Sequence, residues 1–384
     1  EDAGKTSAGR EKFMSPPDAI FTAGLRTPFA QAGKGACKDT RPDDLLIKLL
    51  DSNKNKYPGL WAADPIDDVI AGCAYPEGEQ GYNIARIAAL GAGLKSPGIT
   101  INRLCASSLD AAALGAACVK SGYGTKYLVA GVESMSRVSR RGANFSESEF
   151  VRSRAPKAYI TMGETAEELC ARFPGITRKE QEKFAARSHE LAYRAYEKGL
   201  YQGERDEGIR YPVSMEKMAA LKPAFREGGV VTAATSSPLS DGAACGFILS
   251  ESEAKKAGVE DGLCIMDAAA GHVEPELMGM GPVPAVARLM KRNSLAWKDI
   301  AAVEMNEAFA VQVLACRKEL WFGMDILNAW GGALALGHPL GASGLRLMIT
   351  IHARLKHLGK DRAKGIATLC VGGGQGVALL AEYK

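Results

Sequence analysis

The sequence predicts an α/β protein in which one strand–helix unit occurs twice. Strand-like and helix-like stretches alternate from residue 18 onward, a pattern that lays strands parallel with helices between layers. The stretch "TINRLCASSLDAAALGAACVKSGYGTKYLVAGVE" and the later "GALALGHPLGASGLRLMITIHARLKHLGKDRAKGIATLCVGG" share one plan: a strand, a small-residue turn, a long helix and a closing pair of strands. The 384 residues, 46% hydrophobic and 24% charged, are enough chain for two or three packed units.

The elements follow in order. "AIFTAGLRTPF" opens the folded part as a strand, "DDLLIKLLDSNK" has helical spacing, and "IDDVIAGCAY" reads as another strand. Next come the helix "NIARIAALGAGL", the strand "GITINRLC" ending at Cys105, the helix "SSLDAAALGAACVKSG" stopped by Gly122, and the strand "KYLVAGVE". Near residue 136 the composition turns polar and basic, and helices then dominate. They are "GETAEELCARF" and "TRKEQEKFAARSHELAYRAYEKGL", the latter opening on Thr177 and Glu180 as a capping box. "VVTAATSSPLSDGAACGFILS" returns to strand-like sequence. The second unit holds the proline-led helix "PVPAVARLMKRN" and the strand "IAAVEMNEAFA", which runs into a turn and helix. It ends with the helix "GASGLRLMITIHARLKHLG" and two strands in "GIATLCVGGGQGVALLAEY". The chain thus divides into a loose arm over 1–17, a first half over 18–135 and 229–252, an inserted loop domain over 136–228, and a second half over 253–384.

Several function classes are disfavoured. A net charge of +4 is too small to argue for nucleic acid, and no run of 18 apolar residues predicts a membrane span. The first residues are polar and lack a signal-peptide core, and the closing "AEYK" matches no retention or peroxisomal address. Nine cysteines, an odd number with no CxxC, and five scattered histidines argue against a disulfide framework or a metal cage. The expected compartment is reducing: the cytoplasm, with a mitochondrial or peroxisomal matrix as the alternative.

Four stretches carry candidate chemistry. Cys105 sits just ahead of a helix, whose free N–H groups and dipole are expected to lower a thiol pKa. Alone it reads rather as a packed thiol. His338 lies in the glycine-rich "NAWGGALALGHPLGASG", fixed by Pro339; a lone histidine is more often structural. Cys370 precedes the glycines of "CVGGGQG", whose N–H groups suit a developing oxyanion, or simply make a turn. Asn306 in "NEAFA" suits a water or carbonyl oxygen, or a helix cap.

Together, "NRLCASSLDAAAL", "GVESMSRV", "NEAFA", "GGALALGHPLGASG" and "CVGGGQG", with "RTPFA" and "LKPAF…VTAATSSPLSDGAA", resemble the motifs of the thiolase family. The resemblance spans residues 18 to 384 in order. It implies duplicated βαβαβαββ halves in a layered α-β-α-β-α arrangement with an inserted loop domain. It implies an acyltransferase of fatty-acid β-oxidation, a 3-ketoacyl-CoA thiolase, with acetoacetyl-CoA synthesis or cleavage as the alternative and an inactive scaffold as a third reading. Cys105 is then the nucleophile, His338 its base, and Cys370 the second acid/base. Asn306, through a water, joins His338 in one oxyanion hole, and the N–H groups of Cys105 and Gly372 form the other. Coenzyme A and acyl-CoA are implied as substrates, with no permanent cofactor and no metal. Ser237 is implied on the pantetheine arm, Met162 in the acyl pocket, and Arg137, Arg140 and Arg141 on the CoA phosphates. The basic run continues through Arg152, Arg154 and Lys157. A homodimer or homotetramer is implied as well. Three departures stand out: Ser108 where the family has glycine, Thr161 where many short-chain members have histidine, and a short segment before Leu221.

Overall fold

The structure, a computed structural model, describes residues 18–62, 65–201 and 203–384; the arm expected over 1–17 lies outside the described residues. The first half runs β1 (Ala19–Arg26), β2 (Ala30–Gln31), α1 (Pro42–Lys56), β3 (Asp68–Gly72), α2 (Ile84–Gly91), β4 (Gly98–Ile101), α3 (Ser107–Ser121) and β5 (Lys126–Ser134). The chain then leaves the sheet through α4 (Met162–Arg172) and α5 (Arg178–Glu197) and returns in β6 (Ser240–Ser250). The second half runs β7 (Leu263–His272), α6 (Pro282–Arg292), β8 (Ile300–Met305), α7 (Ala310–Leu320), α8 (Ser343–Leu358), β9 (Lys364–Val371) and β10 (Gln375–Tyr383).

The sheet order is β4-β3-β5-β6-β1-β7-β10-β9-β8. In the first half β4, β3 and β5 are parallel, and β6 and β1 continue antiparallel. The second half repeats this, with β8 parallel to β9 and then β10 and β7 antiparallel. A parallel bridge between Val303 and Leu327 stands beside β8 where β4 stands beside β3. The halves meet at β1 and β7 through the pairs Ile20–Cys264 and Phe21–Leu263.

Alternation along each strand sends side chains to opposite faces, which divides the core into layers. Leu128 and Phe247 join Leu46 and Leu50 of α1 and Ala88 of α2 in one outer cluster. Their neighbours Val129 and Ile248 face inward and meet Leu109 of α3 with Leu347 and Ile351 of α8. On the far side, Ile366 and Leu380 pack with Leu289 of α6, Val311 of α7, and Leu169 and Phe184 of the inserted helices. The result is α-β-α-β-α, with α3 and α8 side by side in the middle.

Several local expectations hold, and three change. Thr177 caps α5 as a box: its Oγ1 accepts from the Glu180 N–H at 3.3 Å and the Glu180 carboxylate accepts from the Thr177 N–H at 2.7 Å. The strand expected to reach Cys105 ends at Ile101, because Asn102 turns the chain by accepting the Leu104 N–H at 2.7 Å. The stretch expected to open the second copy as a strand is, over Ala333–Leu336, one helical turn. β7 was not anticipated: "LCIMDAAAGH" is a run of apolar and small residues without alternation, ambiguous between strand and helix.

Candidate active site

The site gathers at the ends of β4, β8 and β9 and the start of α8. After β4, Leu104 takes a left-handed φ of +44°, a strained conformation for a branched residue. Ser107 holds the turn, its Oγ accepting from the Arg103 N–H at 3.0 Å and donating to the Leu104 carbonyl at 2.6 Å. Cys105 follows, half-buried, one turn ahead of α3. The backbone N–H groups of Gly372 and of Cys105 itself favour its thiolate. They hold the thiol down, but burial outweighs them and, with the charge of Glu133, pushes it up to about 12. The expected lowering by the helix end is therefore overruled by desolvation.

Cys370 ends β9, fully enclosed, and its thiol is raised by burial first and then by the proximity of Cys105 and Cys316. Gly372 sits just beyond; a Cβ there would stand 2.8 Å from Leu104 and 3.6 Å from the sulfur of Met162, which places Met162 beside the cysteines' loop.

His338 arrives through Gly337, whose φ of +102° and approach to Ser240 (2.6 Å from an added Cβ) exclude any larger residue. The His338 N–H donates to Ser240 Oγ at 3.1 Å. Its ring meets Ser343 Oγ at Nδ1 (2.6 Å) and Asn306 Nδ2 at Nε2 (3.2 Å). Ser343 donates its proton to the Pro339 carbonyl at 2.8 Å, and an amide nitrogen can only donate. The network therefore assigns the proton to Nδ1 and leaves Nε2 as an acceptor. Burial, then the charge of Arg346, lowers the His338 pKa to about 3, so the ring is neutral near neutral pH. Asn306 follows β8 and is fixed by its N–H to the Thr368 carbonyl at 2.9 Å. The turn after His338 packs on the turn that carries Cys105.

Two buried carboxylates that the sequence reading passed over hold these loops. Glu133 accepts from the N–H groups of Ala74 (2.8 Å), Tyr75 (3.2 Å) and Gly341 (2.8 Å) and from Gln80 Nε2 (2.7 Å). Glu307 accepts from Ser188 Oγ (2.6 Å), Asn328 Nδ2 (2.8 Å) and the Leu334 N–H (3.1 Å). Burial raises the pKa of both, against these donors. Their signal was available: an acid ending the apolar "YLVAGVE", and another in "NEAFA", are costly unless paired.

The outer candidates divide. The Ser237 N–H donates to the Ala308 carbonyl at 3.0 Å, which sets Ser237 against the "NEAFA" turn. Arg137 forks onto Glu79 at 2.5 and 2.6 Å. Arg152 pairs with Glu147 at 3.5 Å, Lys157 with Glu168 and Glu276 at 3.6 and 3.5 Å, and Arg154 lies over the Phe150 ring. Arg140 and Arg141 are exposed and make no ion pair among the described residues. The half-buried Tyr75 phenol feels both Cys105 and Arg140. Thr161 caps α4, accepting from the Glu164 N–H at 3.4 Å. Among the described residues no group of three or more His, Cys, Asp or Glu side chains is placed to hold a metal.

Comparison with known proteins places the chain in one family. The family described as "Thiolase, N-terminal domain" matches residues 19–252, and "Thiolase, C-terminal domain" matches residues 263–383. A 3-ketoacyl-CoA thiolase of Escherichia coli O6:K15:H31 is 40% identical over 387 residues, covering 94% of this chain and 98% of the relative. One from Bacillus subtilis is 36% identical, covering 95% and 99%. The dimeric peroxisomal thiolase of Saccharomyces cerevisiae superposes with a TM-score of 0.88 at 33% identity, covering 97% of this chain and 99% of that one. An acetyl-CoA acetyltransferase of Bacillus anthracis superposes with a TM-score of 0.84 at 35% identity, covering 96% and 100%.

Proposed function

The chain belongs to the thiolase family, and from that premise we propose how it works as a 3-ketoacyl-CoA thiolase, splitting 3-oxoacyl-CoA with CoA into acetyl-CoA and a shortened acyl-CoA. Breaking a carbon–carbon bond beside a thioester needs a soft nucleophile and an acid for the departing carbanion. Cys105 gives up its proton to His338 Nε2 as its sulfur attacks the 3-keto carbon. The tetrahedral oxyanion collapses to a Cys105 thioester and releases the acetyl-CoA enolate, which Cys370 protonates at carbon. In the second half Cys370, left as a thiolate, takes the proton of the CoA thiol as the CoA sulfur attacks the thioester, and the Cys105 thiolate leaves and recovers its proton from His338. The observation that supports this division most directly is the convergence of the Cys105 turn with the turn after His338 and with β9, which carries Cys370; the Gly372 and Cys105 N–H groups there serve as one donor set. Donors fixed in advance stabilise charge as it develops without reorganisation. Asn306 and His338 supply the second donor set, for the thioester oxygen of the enolate.

Within the same proposal, Met162 lines the acyl pocket, Ser237 meets the pantetheine arm, and segment 136–228 receives CoA. Arg140 and Arg141 are the stronger phosphate partners, since Arg137 is engaged by Glu79. The assembly is a homodimer or a pair of dimers, and the compartment a reducing one, the cytoplasm. No described helix is long and apolar enough to cross a membrane.

Thiolysis assays with 3-oxoacyl-CoA of short to long chain, with mass analysis of the Cys105 peptide, test the reading. A shortened acyl group on Cys105 and release of acetyl-CoA are expected. An unmodified Cys105 during turnover would reject it. Cleavage of acetoacetyl-CoA alone would instead select the acetyltransferase reading, which the likeness to the Bacillus anthracis structure also suits.

A further inference from the structure

Arg346 is a guanidinium with no solvent exposure, on the second turn of α8. Its Nη2 donates to Asn306 Oδ1 at 3.2 Å. Its Nη1 is 3.7 Å from Glu304 Oε2, too far for a hydrogen bond. Neither Nη1 nor Nε has a hydrogen-bond partner among the described residues. Glu304 itself is held by Arg354 at 2.6 Å. A buried cation this sparsely satisfied is a poor device for stability, and an apolar side chain of the same length would cost less. The one protein hydrogen bond it makes is to a residue of the site.

That bond has a fixed direction, whereas the Ser343 hydroxyl, which donates to the Pro339 carbonyl, can rotate to donate or accept. Arginine donates only and does not lose its proton. The Asn306 atom facing it must therefore be the oxygen, so the amide nitrogen faces His338 Nε2. The nitrogen donates, Nε2 must accept, and the imidazole proton is sent to Nδ1 and on to Ser343. Without the Arg346 donors the Asn306 amide is free to turn over, and Nε2 then faces an oxygen and takes the proton. A histidine protonated at Nε2 cannot accept the Cys105 proton.

We propose that Arg346 is a positioning residue that sets the tautomer of His338 through Asn306, keeping Nε2 proton-free toward Cys105. The inference rests on the base role proposed for His338, but its closing measurement does not. Arg346→Met removes the donors while keeping length. Arg346→Met combined with Glu304→Gln also removes the carboxylate left short of a partner, in case the single variant does not fold. Nitrogen NMR of protein labelled at histidine reads the tautomer directly, with the His338 signals identified by their loss in His338→Asn. Wild type is expected to show His338 neutral with Nδ1 protonated. The folded variant is expected to show a shift toward the Nε2-protonated form. Its kcat for thiolysis should fall about 100-fold per acylatable site, the scale of losing one oriented polar group, with KM changed by less than about threefold. Retention of the Nδ1-protonated form in the folded variant overturns the proposal whatever the rate does, and so does an unchanged kcat. A wild type with the expected tautomer but no thiolysis would reject the proposed function and leave the positioning role standing.

Discussion

The thiols of Cys105, Cys245 and Cys316 are all pushed up to about 12 by burial, so acidity does not single out a nucleophile. Access separates Cys105 from those two, which are buried, but Cys37, Cys118 and Cys170 are half-buried as well; what marks Cys105 is the packing of its turn against the turn after His338 and against β9, which carries Cys370. A thiol with so high a pKa reacts through the small fraction that is ionised, and that fraction grows tenfold per pH unit below the pKa. Inactivation by iodoacetamide should therefore climb steadily from pH 7 to about 10, with mass analysis placing the first adduct on Cys105. A plateau below about pH 8 would instead mean a thiolate already present, and would remove the neutral pairing argued for His338. Cys105, His338, Cys370 and Asn306 stand out in the sequence only together, through the family motifs they sit in; singly each reads as well as a packed, turn or capping residue. Arg346 was not legible. In "GLRLMITIHARLKHLG" an arginine reads as part of a solvated helix face, and only packing α8 between the two halves of the sheet reveals that this face is buried.

The two central helices begin alike, "CASSL" over 105–109 and "GASGL" over 341–345, and the likeness is structural as well as written. Ser107 and Ser343 each donate to a carbonyl of the preceding turn, and each also accepts from the segment it steadies, the Arg103 N–H in one case and the His338 ring in the other. Gly344 lets the helices touch, since a Cβ there would run into Leu109. Ser108, where the family has glycine, faces this junction: its Oγ accepts the Leu345 N–H at 3.1 Å, one of the N–H groups a helix start leaves open. The serine caps the neighbouring helix, buried between the layers, and Gly131 on β5 makes room for it. Ser108→Ala strands a buried donor, so a stability loss of about 1–3 kcal/mol is expected from thermal or denaturant unfolding. Ser108→Gly should lower stability while leaving the order of preference among acyl chain lengths unchanged. A reordered preference would place the hydroxymethyl in the acyl pocket after all. Helices of this kind were legible because their runs of helix-forming residues, and the glycines Gly122 and Gly359 that stop them, are local. β7 was not, because its place is set by pairing with β10 and β1, which are distant in sequence.

At the scale of the whole molecule, the sheet among the described residues ends at β4, which has a described strand neighbour, β3, on one side only. Ile99 at its centre and Tyr82 nearby are exposed, and Asn83 ties the two segments together through Gly98 and Thr100. An open, apolar edge strand is a template for pairing with another chain, and in a homodimer the simplest occupant is the same edge of a second copy. The duplicated plan makes the contrast informative: at the equivalent place in the second half, the Val303–Leu327 bridge already covers β8. β4 also leads directly into the Asn102–Leu104 turn, so whatever braces the edge braces the strained step before Cys105. Ile99→Lys puts a charge on that edge. Sedimentation should show it reduced to a 40.7 kDa chain while wild type stays larger. If pairing holds the turn, the rate of Cys105 acylation should fall with it, by about 100-fold for a displacement near an ångström. A variant that still sediments as a dimer puts the interface elsewhere. A monomer that acylates at the wild-type rate separates the edge from the chemistry, and the Leu104 turn is then held by Asn102 and Ser107 alone.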